Sequence, residues 1–133
     1  DILDKDWDKR DSITHFILQP NIASEALRKY LYDNNFEIID EKLVMEDRKF
    51  YEIIYAKKGK DHIEDKIYYE IGEKLIVNGD PLLKDFINHK IKTINSILEE
   101  LEYKTTEKSK SRYDDLMEKR KRLKAVLKKV ESN

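Results

Sequence analysis

The sequence predicts an α/β fold in which a strand, a helix and a β-hairpin precede an antiparallel coiled-coil helical hairpin. Three observations predict it. The first sixty residues alternate strand-like apolar runs with helical spacing, as parallel sheets with crossover helices do. Apolar residues then recur every three or four positions from Leu83 to Leu101. A second stretch, from Tyr113 to Val130, places apolar residues at a and d positions.

The first predicted strand, Phe16 to Leu18, ends at the polar elbow Gln19-Pro20-Asn21. The proline disfavours helix at the residue before it, and the asparagine occupies an N-cap position before apolar residues at helical spacing. That helix is expected to end near residues 33 to 35. A terminal antiparallel hairpin then spans residues 36 to 55, with a polar turn at 46 to 49.

The composition changes at residues 57 to 61, and we place a domain boundary there. Residues 1–60 are predicted to end a sheet domain, and residues 61–133 to form a helical domain. The spacing from 62 to 80 is ambiguous because Gly72 interrupts it. Thr105-Thr106-Glu107 supplies a cap and an acidic first turn for the last helix, which must run antiparallel to its neighbour across so short a connection.

Charge is unevenly distributed along the 133 residues. Charged side chains make up 41% and the net charge is −1, yet residues 104–133 hold 11 basic and 5 acidic side chains, a net +6. The absence of cysteine excludes disulfides and thiolate metal sites and fits a cytoplasmic setting. The three histidines lack metal-ligand spacing, so no metal is expected. No apolar run is long enough to cross a membrane.

The order strand, helix and hairpin is similar to the end of the seven-stranded sheet of class I methyltransferases. Three strands alone cannot make a well-covered parallel sheet, and no G-x-G pattern occurs among the three glycines. We therefore expect the amino-terminal half of the domain, with its cofactor-binding residues, upstream of Asp1. The start also lacks an initiator Met and a signal-peptide pattern, which suggests a fragment.

Three segments resemble one family in their order along the chain. They are Leu18-Gln19-Pro20-Asn21 followed by Leu27-Arg28, then Phe50-Tyr51-Glu52-Ile53-Ile54, and then Gly72 through Pro81-Leu82 leading into a long helical tail. The sequence resembles the bacterial methyltransferases that act on N1 of adenine 22 in tRNA. The resemblance implies a Rossmann-like domain that binds S-adenosyl-L-methionine and a carboxyl-terminal coiled coil that helps hold tRNA.

Those implications belong to the intact protein, which is expected to be a cytoplasmic monomer. This chain alone is expected to be inactive, since the family's cofactor motifs would lie upstream of it. In the truncated form, the strand at Phe16 has lost a neighbour and is a candidate for edge-strand pairing with another copy.

Adenine already offers a lone pair at N1, so positioning dominates the chemistry. Gln19 or Asn21 can recognise an adenine edge with one donor and one acceptor. Tyr51 can stack on the base. The candidate catalytic residues are therefore Gln19, Pro20, Asn21 and Tyr51. Each of these residues also has a structural interpretation that involves no catalysis. Asn21 can cap the helix, Pro20 can end the strand, Gln19 can be a solvent-exposed edge residue, and Tyr51 can pack under the edge of the sheet.

Basic residues near the elbow, in the hairpin turn and in the last helix are candidates for RNA binding. They are Arg28, Arg48, Lys49, Lys108, Lys110, Arg112, Lys119, Arg120, Lys121 and Arg122. Sustained positive charge favours an anionic partner. A merely solubilising helix surface is the competing interpretation, and for Arg28 surface or sheet-edge packing is favoured over catalysis.

Two other function classes stay open at this point. The chain is alternatively a stand-alone, non-catalytic RNA-binding module, which requires salt-dependent tRNA binding. It is also alternatively a coiled-coil interaction module, in which the stripe from Leu83 to Leu101 pairs with a partner helix.

Overall fold

The computed structural model describes residues 13 to 18 and 24 to 132. The chain divides into two compact units, Asp1–Leu82 and Leu83–Asn133. The elements are β1 (Thr14–Leu18), α1 (Ser24–Asp33), β2 (Phe36–Glu46), β3 (Lys49–Lys58), α2 (Ile67–Glu70), α3 (Glu73–Val77), α4 (Leu83–Leu101) and α5 (Glu107–Glu131).

The described strands form one three-stranded sheet in the order β1-β3-β2. Both outer strands are antiparallel to β3, so β1 and β2 run in the same direction. In the register, Leu18 and Leu43 both lie opposite Glu52. The predicted hairpin is confirmed. The carboxyl ends of β1 and β2 therefore reach the same edge of the sheet.

One face of the sheet packs against α1. Its core cluster combines Leu31 of the helix with strand residues that are at most 7% exposed, namely Leu18, Ile38, Ile54 and Ala56. The opposite face is more open, because Ile17 is 60% exposed. The alternation follows from the two-residue period of strands, which sends successive side chains to opposite faces.

The segment from residue 72 to residue 82 covers the outer edge of β2. Asp80 Oδ2 accepts a hydrogen bond from Leu43 N at 2.9 Å, and Asn78 Nδ2 donates to Asp40 Oδ1 at 2.8 Å. These side chains satisfy backbone and side-chain groups that an edge strand would leave open. Residues 61 to 82 thus group with the sheet, so the structure divides the chain later than the boundary at 60 that the sequence predicts.

Residues with positive φ mark two of the turns. Asn35, with φ 61°, follows α1 and ends it where the sequence predicts. Asp47 and Arg48, with φ 51° and 65°, form the two-residue turn between β2 and β3. Hairpin turns of this kind need positive φ at both central residues and favour glycine there. Arg48 therefore occupies a conformation that costs a side-chain-bearing residue free energy.

The second unit consists of α4 and α5, which pack on each other. Thr106 is the N-cap of α5, and its Oγ1 accepts a hydrogen bond from Ser109 N at 3.1 Å, which confirms the predicted cap. The predicted stripe of α4 is buried from Leu83 to Leu98. In α5, Leu123 and Val126 are buried. The heptad pattern predicts Tyr113, Leu116, Leu123, Leu127 and Val130 as the apolar positions of this helix, so Val126 is buried outside the predicted set.

Arg120 occupies an a position of the heptad pattern of α5, between Leu116 and Leu123. Its Nη1 donates to Asn95 Oδ1 of α4 at 2.7 Å. A polar group at such a position is commonly matched by a polar partner on the facing helix, which specifies register at a cost in stability. Among the described residues, no helix is both long and apolar enough for a membrane span.

Candidate functional site

The elbow, Gln19-Pro20-Asn21, lies outside the described residues. Leu18, at the end of β1, is 7% exposed, and α1 begins at Ser24. Because β1 ends and α1 begins at one edge of the sheet, this is the place where open α/β sheets bind ligands.

Ser24 is a residue of this edge that the sequence did not single out. Its side chain is buried, with a relative exposure of 2%, and Oγ has no hydrogen-bond partner among residues 13 to 18 and 24 to 132. A buried hydroxyl without a partner is uncommon because its desolvation is uncompensated. The sequence signal was its position three residues after Asn21, where helix-capping patterns place a polar side chain.

The hairpin turn lies at the same edge. Arg48 and Lys49 are exposed, and Tyr51 is half-buried on the face of the sheet opposite Phe50 and Glu52. The register pairs Tyr51 with Val44 of β2. Two exposed cations and an accessible aromatic ring thus lie at the edge where β1 ends. This arrangement suits contact with a phosphate and a base.

Arg28, a candidate for RNA binding, does not lie on the surface, because its side chain is only 1% exposed. Its Nε donates to Glu41 Oε1 and its Nη2 to Glu52 Oε1, each at 2.8 Å. Its Nη1 donates to the carbonyl oxygens of Tyr69 and Glu70, at 2.9 and 3.3 Å. A guanidinium occupied in this way cannot reach RNA in this arrangement. Arg28 instead joins α1, both strands of the hairpin and α2.

Glu41 also serves α3, which starts without a side-chain cap of its own. The N-cap residue is Gly72, and Glu41 Oε2 accepts a hydrogen bond from Lys74 N at 3.1 Å. A carboxylate at a helix start satisfies a free N–H and interacts favourably with the helix dipole. A Cβ at Gly72 would overlap the same carboxylate, so glycine is required there by close approach.

Burial and ion pairing act in opposite directions in this cluster. Burial lowers the pKa of Arg28, but Glu41 and Glu52 outweigh it, so the pKa is raised and the guanidinium stays charged. Burial raises the pKa of Glu41, and the attraction of Arg28 offsets this only in part. Two carboxylates share one cation, so the cluster has one excess negative charge when fully ionised. The excess favours proton uptake by a carboxylate.

The structure sorts the predicted basic residues of α5 into two groups. Three of the four consecutive basic side chains already make contacts. Arg120 donates a hydrogen bond to Asn95, and Arg122 forms an ion pair with Glu118 at 3.1 Å. Lys119 also interacts with another group. Lys121, the remaining one, is exposed and makes no ion pair within the described part of the chain. Consecutive cations on one helix therefore have different roles.

The described residues do not provide a cofactor cradle. Gly59 follows β3, Gly72 precedes α3 and Gly79 follows it, so no glycine-rich loop joins a strand to a helix. Within residues 13 to 18 and 24 to 132, no cluster of His, Asp or Glu side chains is arranged to hold a metal ion.

Comparison with known proteins identifies the family. A family model described as tRNA (adenine(22)-N(1))-methyltransferase, TrmK, matches residues 1–124. The chain belongs to this family. The resemblance noted from Leu18 to Leu82 and the helical tail is thereby confirmed. Among curated proteins, the tRNA (adenine(22)-N(1))-methyltransferase of Bacillus subtilis (strain 168) is 38% identical over 72 residues, covering 53% of this chain and 30% of that protein.

Solved structures of TrmK and of the Rossmann superfamily resemble the chain. The crystal structure of B. subtilis TrmK has a TM-score of 0.70 and 28% identity, covering 85% of this chain and 51% of that one. A Streptococcus agalactiae protein of the NADB-Rossmann superfamily gives 0.69 and 25%, covering 92% and 52%. A putative tRNA (m1A22) methyltransferase of Streptococcus pneumoniae, in complex with S-adenosyl-L-methionine, gives 0.67 and 25%, covering 92% and 51%.

These matches confirm a Rossmann-superfamily fold for the sheet. The chain spans about half the length of the solved TrmK structures that it matches. The three described strands, with the antiparallel strand between two parallel ones, belong to this fold.

Proposed function

We propose that this chain is the carboxyl-terminal part of an enzyme that methylates N1 of adenine 22 in tRNA. The match of the TrmK family model to residues 1–124 carries the proposal. S-adenosyl-L-methionine, bound in the structure of the S. pneumoniae relative, is the methyl donor proposed for the intact protein. Its binding residues are expected upstream of Asp1, and the chain alone is expected to be inactive.

The proposed contribution of the sheet edge is to hold the target base. Adenine N1 carries its own lone pair, so the protein has to extrude the base, orient it and exclude water. The amides of Gln19 and Asn21 can donate to and accept from the adenine edge. Pro20 disfavours helix at the residue before it and can end the strand, and Tyr51 can stack on the ring. The shared edge of β1 and the hairpin turn supports this arrangement.

The proposed contribution of the second unit is to bind tRNA. We infer that α4 and α5 form an antiparallel coiled-coil hairpin, which the short connection between them and the Arg120–Asn95 hydrogen bond support. The net charge of +6 over residues 104–133 favours a polyanion. Arg48 and Lys49 are proposed to contact phosphates near the target base, since both are exposed at the sheet edge.

Methylation of tRNA tests the proposal directly. The intact protein is incubated with cofactor and a tRNA transcript, and the nucleosides are analysed by mass spectrometry for 1-methyladenosine. We expect product from a transcript with adenine at position 22 and none from a matched transcript with guanine there. Product absent above a no-enzyme control would falsify the proposed activity.

The non-catalytic alternatives make different predictions for the same samples. A stand-alone RNA-binding module would bind tRNA without methylating it in the intact protein. An interaction module that uses the stripe of α4 for a partner helix is not supported, because α4 packs on α5. We expect the intact protein to be monomeric in sedimentation at high concentration. A dimer of the 133-residue chain alone would indicate pairing through β1.

A further inference from the structure

Seven basic side chains of α5 are exposed and make no ion pair with any described residue, and four of them, all lysines, form a narrow row along one flank of the helix. We call them the lysine flank: Lys110, Lys121, Lys124 and Lys128. At 3.6 residues per turn they fall within about 60° of one another around the axis, and at 1.5 Å per residue they extend over about 27 Å.

A shallow, open groove on the surface of α5 lies beside this flank. It has a volume of about 540 Å³ and is lined by Tyr113, Met117 and Arg120, together with Lys121 and Lys124 of the flank. Met117 is 37% exposed. Two acidic residues, Asp114 and Glu118, also line the groove. Glu118 is neutralised by its ion pair with Arg122.

Arg120 is held in place at the wall of the groove. Its Nη1 donates to Asn95 Oδ1 at 2.7 Å and its Nη2 to Met117 Sδ at 3.2 Å. Hydrogen bonds from both terminal nitrogens hold the guanidinium in place. It presents a flat cationic surface, and guanidinium groups of this kind stack on unpaired bases. Its role as a free phosphate ligand is correspondingly reduced.

The other flank of α5 combines its charges differently. Its cations include Lys108, Arg112 and Lys129 as well as Lys119 and Arg122, both of which are engaged. The groove on that side has about 430 Å³, and among its lining residues Leu116 is half-buried within the stripe. It therefore offers fewer free cations and no exposed methionine or aromatic side chain.

We propose that α5 binds RNA through the lysine flank, with an unpaired nucleotide in the groove at Tyr113, Met117 and Arg120. This inference rests on the proposed function, since tRNA is the polyanion that the function requires. Phosphates would contact the lysines, while the base would lie against the apolar side chains. The chemistry is that of a single-stranded segment or loop, because a paired base cannot enter the groove.

The test compares two triple variants of the 133-residue chain that remove the same charge. Lys121→Ala/Lys124→Ala/Lys128→Ala removes most of the lysine flank, and Lys108→Ala/Arg112→Ala/Lys129→Ala removes cations of the other one. Binding of a tRNA transcript is measured from 50 to 200 mM salt. We expect the first triple to weaken binding about tenfold or more, and to reduce the salt slope by about 2 for three lost phosphate contacts. The second triple should weaken binding about twofold.

The groove is tested by an uncharged change. Met117→Ala should weaken tRNA binding roughly fivefold with an unchanged salt slope, since it removes base contact and no charge. It should leave the binding of a blunt RNA duplex unaltered. Ser111→Ala, on the other flank, is the matched uncharged control. Circular dichroism of each variant checks that the helix content is retained.

Four results would overturn the inference. Equal losses in the two triples would indicate a general field of charge, and a wild-type chain that binds no RNA would exclude the contact. If Met117→Ala weakened the binding of the duplex as much as that of tRNA, an unpaired base in the groove would be excluded. If polyglutamate bound as tightly as tRNA, attraction between opposite charges alone would explain the binding. Methylation by the intact protein is measured separately. Product formed by that protein would preserve the proposed function in each of these cases.

Discussion

Arg28 and Glu41 form a buried ion pair with 2.8 Å between Nε and Oε1, and the same guanidinium reaches Glu52 at the same distance. The guanidinium of Arg28 therefore connects α1 with both strands of the hairpin. The side chains of Arg28 and Glu41 are at most 2% exposed, so solvent screens their interaction little. Arg28 also donates hydrogen bonds to the carbonyl oxygens of Tyr69 and Glu70, which hold α2 on the sheet.

Removing the cation should destabilise the first unit strongly. Arg28→Met leaves two buried carboxylates without their partner, and we expect a loss of about 3–5 kcal/mol in the free energy of unfolding. Arg28→Lys should recover only part of it, because an ammonium cannot reproduce the fork that serves four acceptors. Urea unfolding followed by circular dichroism measures the change.

Lys29→Ala provides the control on the same helix. Lys29 is exposed and pairs with Asp33 at 2.7 Å, so its replacement should leave the unfolding midpoint nearly unchanged. A midpoint of Arg28→Met close to the wild type would show that the cluster does not stabilise the fold.

Gly72 and Glu41 should be energetically coupled. Gly72→Ala forces a Cβ into the Glu41 carboxylate, which Arg28 and Lys74 N hold in place, and we expect a loss of about 1–3 kcal/mol. In a Glu41→Ala background the obstruction is gone, so the same change should cost close to zero. The double-mutant cycle measures the coupling by urea unfolding.

Gly79→Ala is a control with a different cause. Gly79 has φ 61° and open space around its Cα, so alanine should cost about 1 kcal/mol through backbone conformation alone. That cost should be the same in both backgrounds. If Gly72→Ala were equally costly with and without Glu41, the overlap would not be its cause.

The sequence predicted local elements well and this buried cluster poorly. Local sequence patterns located the hairpin, the cap at Thr106 and the stripe of α4, because each depends on neighbours in the chain. The role of Arg28 depends on Glu41 and Glu52, which are 13 and 24 residues away. A lone arginine on a helix gives no local signal of burial, since arginine is mostly exposed. The same reasoning explains why four consecutive cations, Lys119 to Arg122, could not be separated by role.

The pH dependence of stability should carry the signature of Glu41. Burial raises the pKa of its carboxyl above 4.5. The folded state then holds the proton more tightly than the unfolded chain does. This contribution to stability is fully present below pH 4.5 and is lost as the pH rises through the raised value. The advantage of the wild type over Glu41→Gln should therefore shrink as the pH increases.

Urea unfolding of both proteins at pH 4, 5, 6 and 7 gives this difference. Glu46→Gln, at an exposed carboxylate of the same strand, corrects for the loss of one charge. A wild-type advantage that grows with pH would mean that the attraction of Arg28 outweighs burial. The pKa of Glu41 would then be lower in the folded protein than in the unfolded chain.

Arg48 should show a trade-off between stability and binding. Its φ of 65° is unfavourable for a residue with a Cβ, whereas glycine adopts it freely. Arg48→Gly should raise the free energy of unfolding by about 0.5–1 kcal/mol. If the side chain contacts tRNA phosphate as proposed, the intact protein should bind tRNA more weakly, and the salt slope should fall by about 1.

Asp47→Gly, with φ 51° at the neighbouring position, is the matched control. It should gain stability without losing affinity, because it removes an acidic side chain. Weaker binding in both variants would assign the effect to the turn conformation and not to the Arg48 cation.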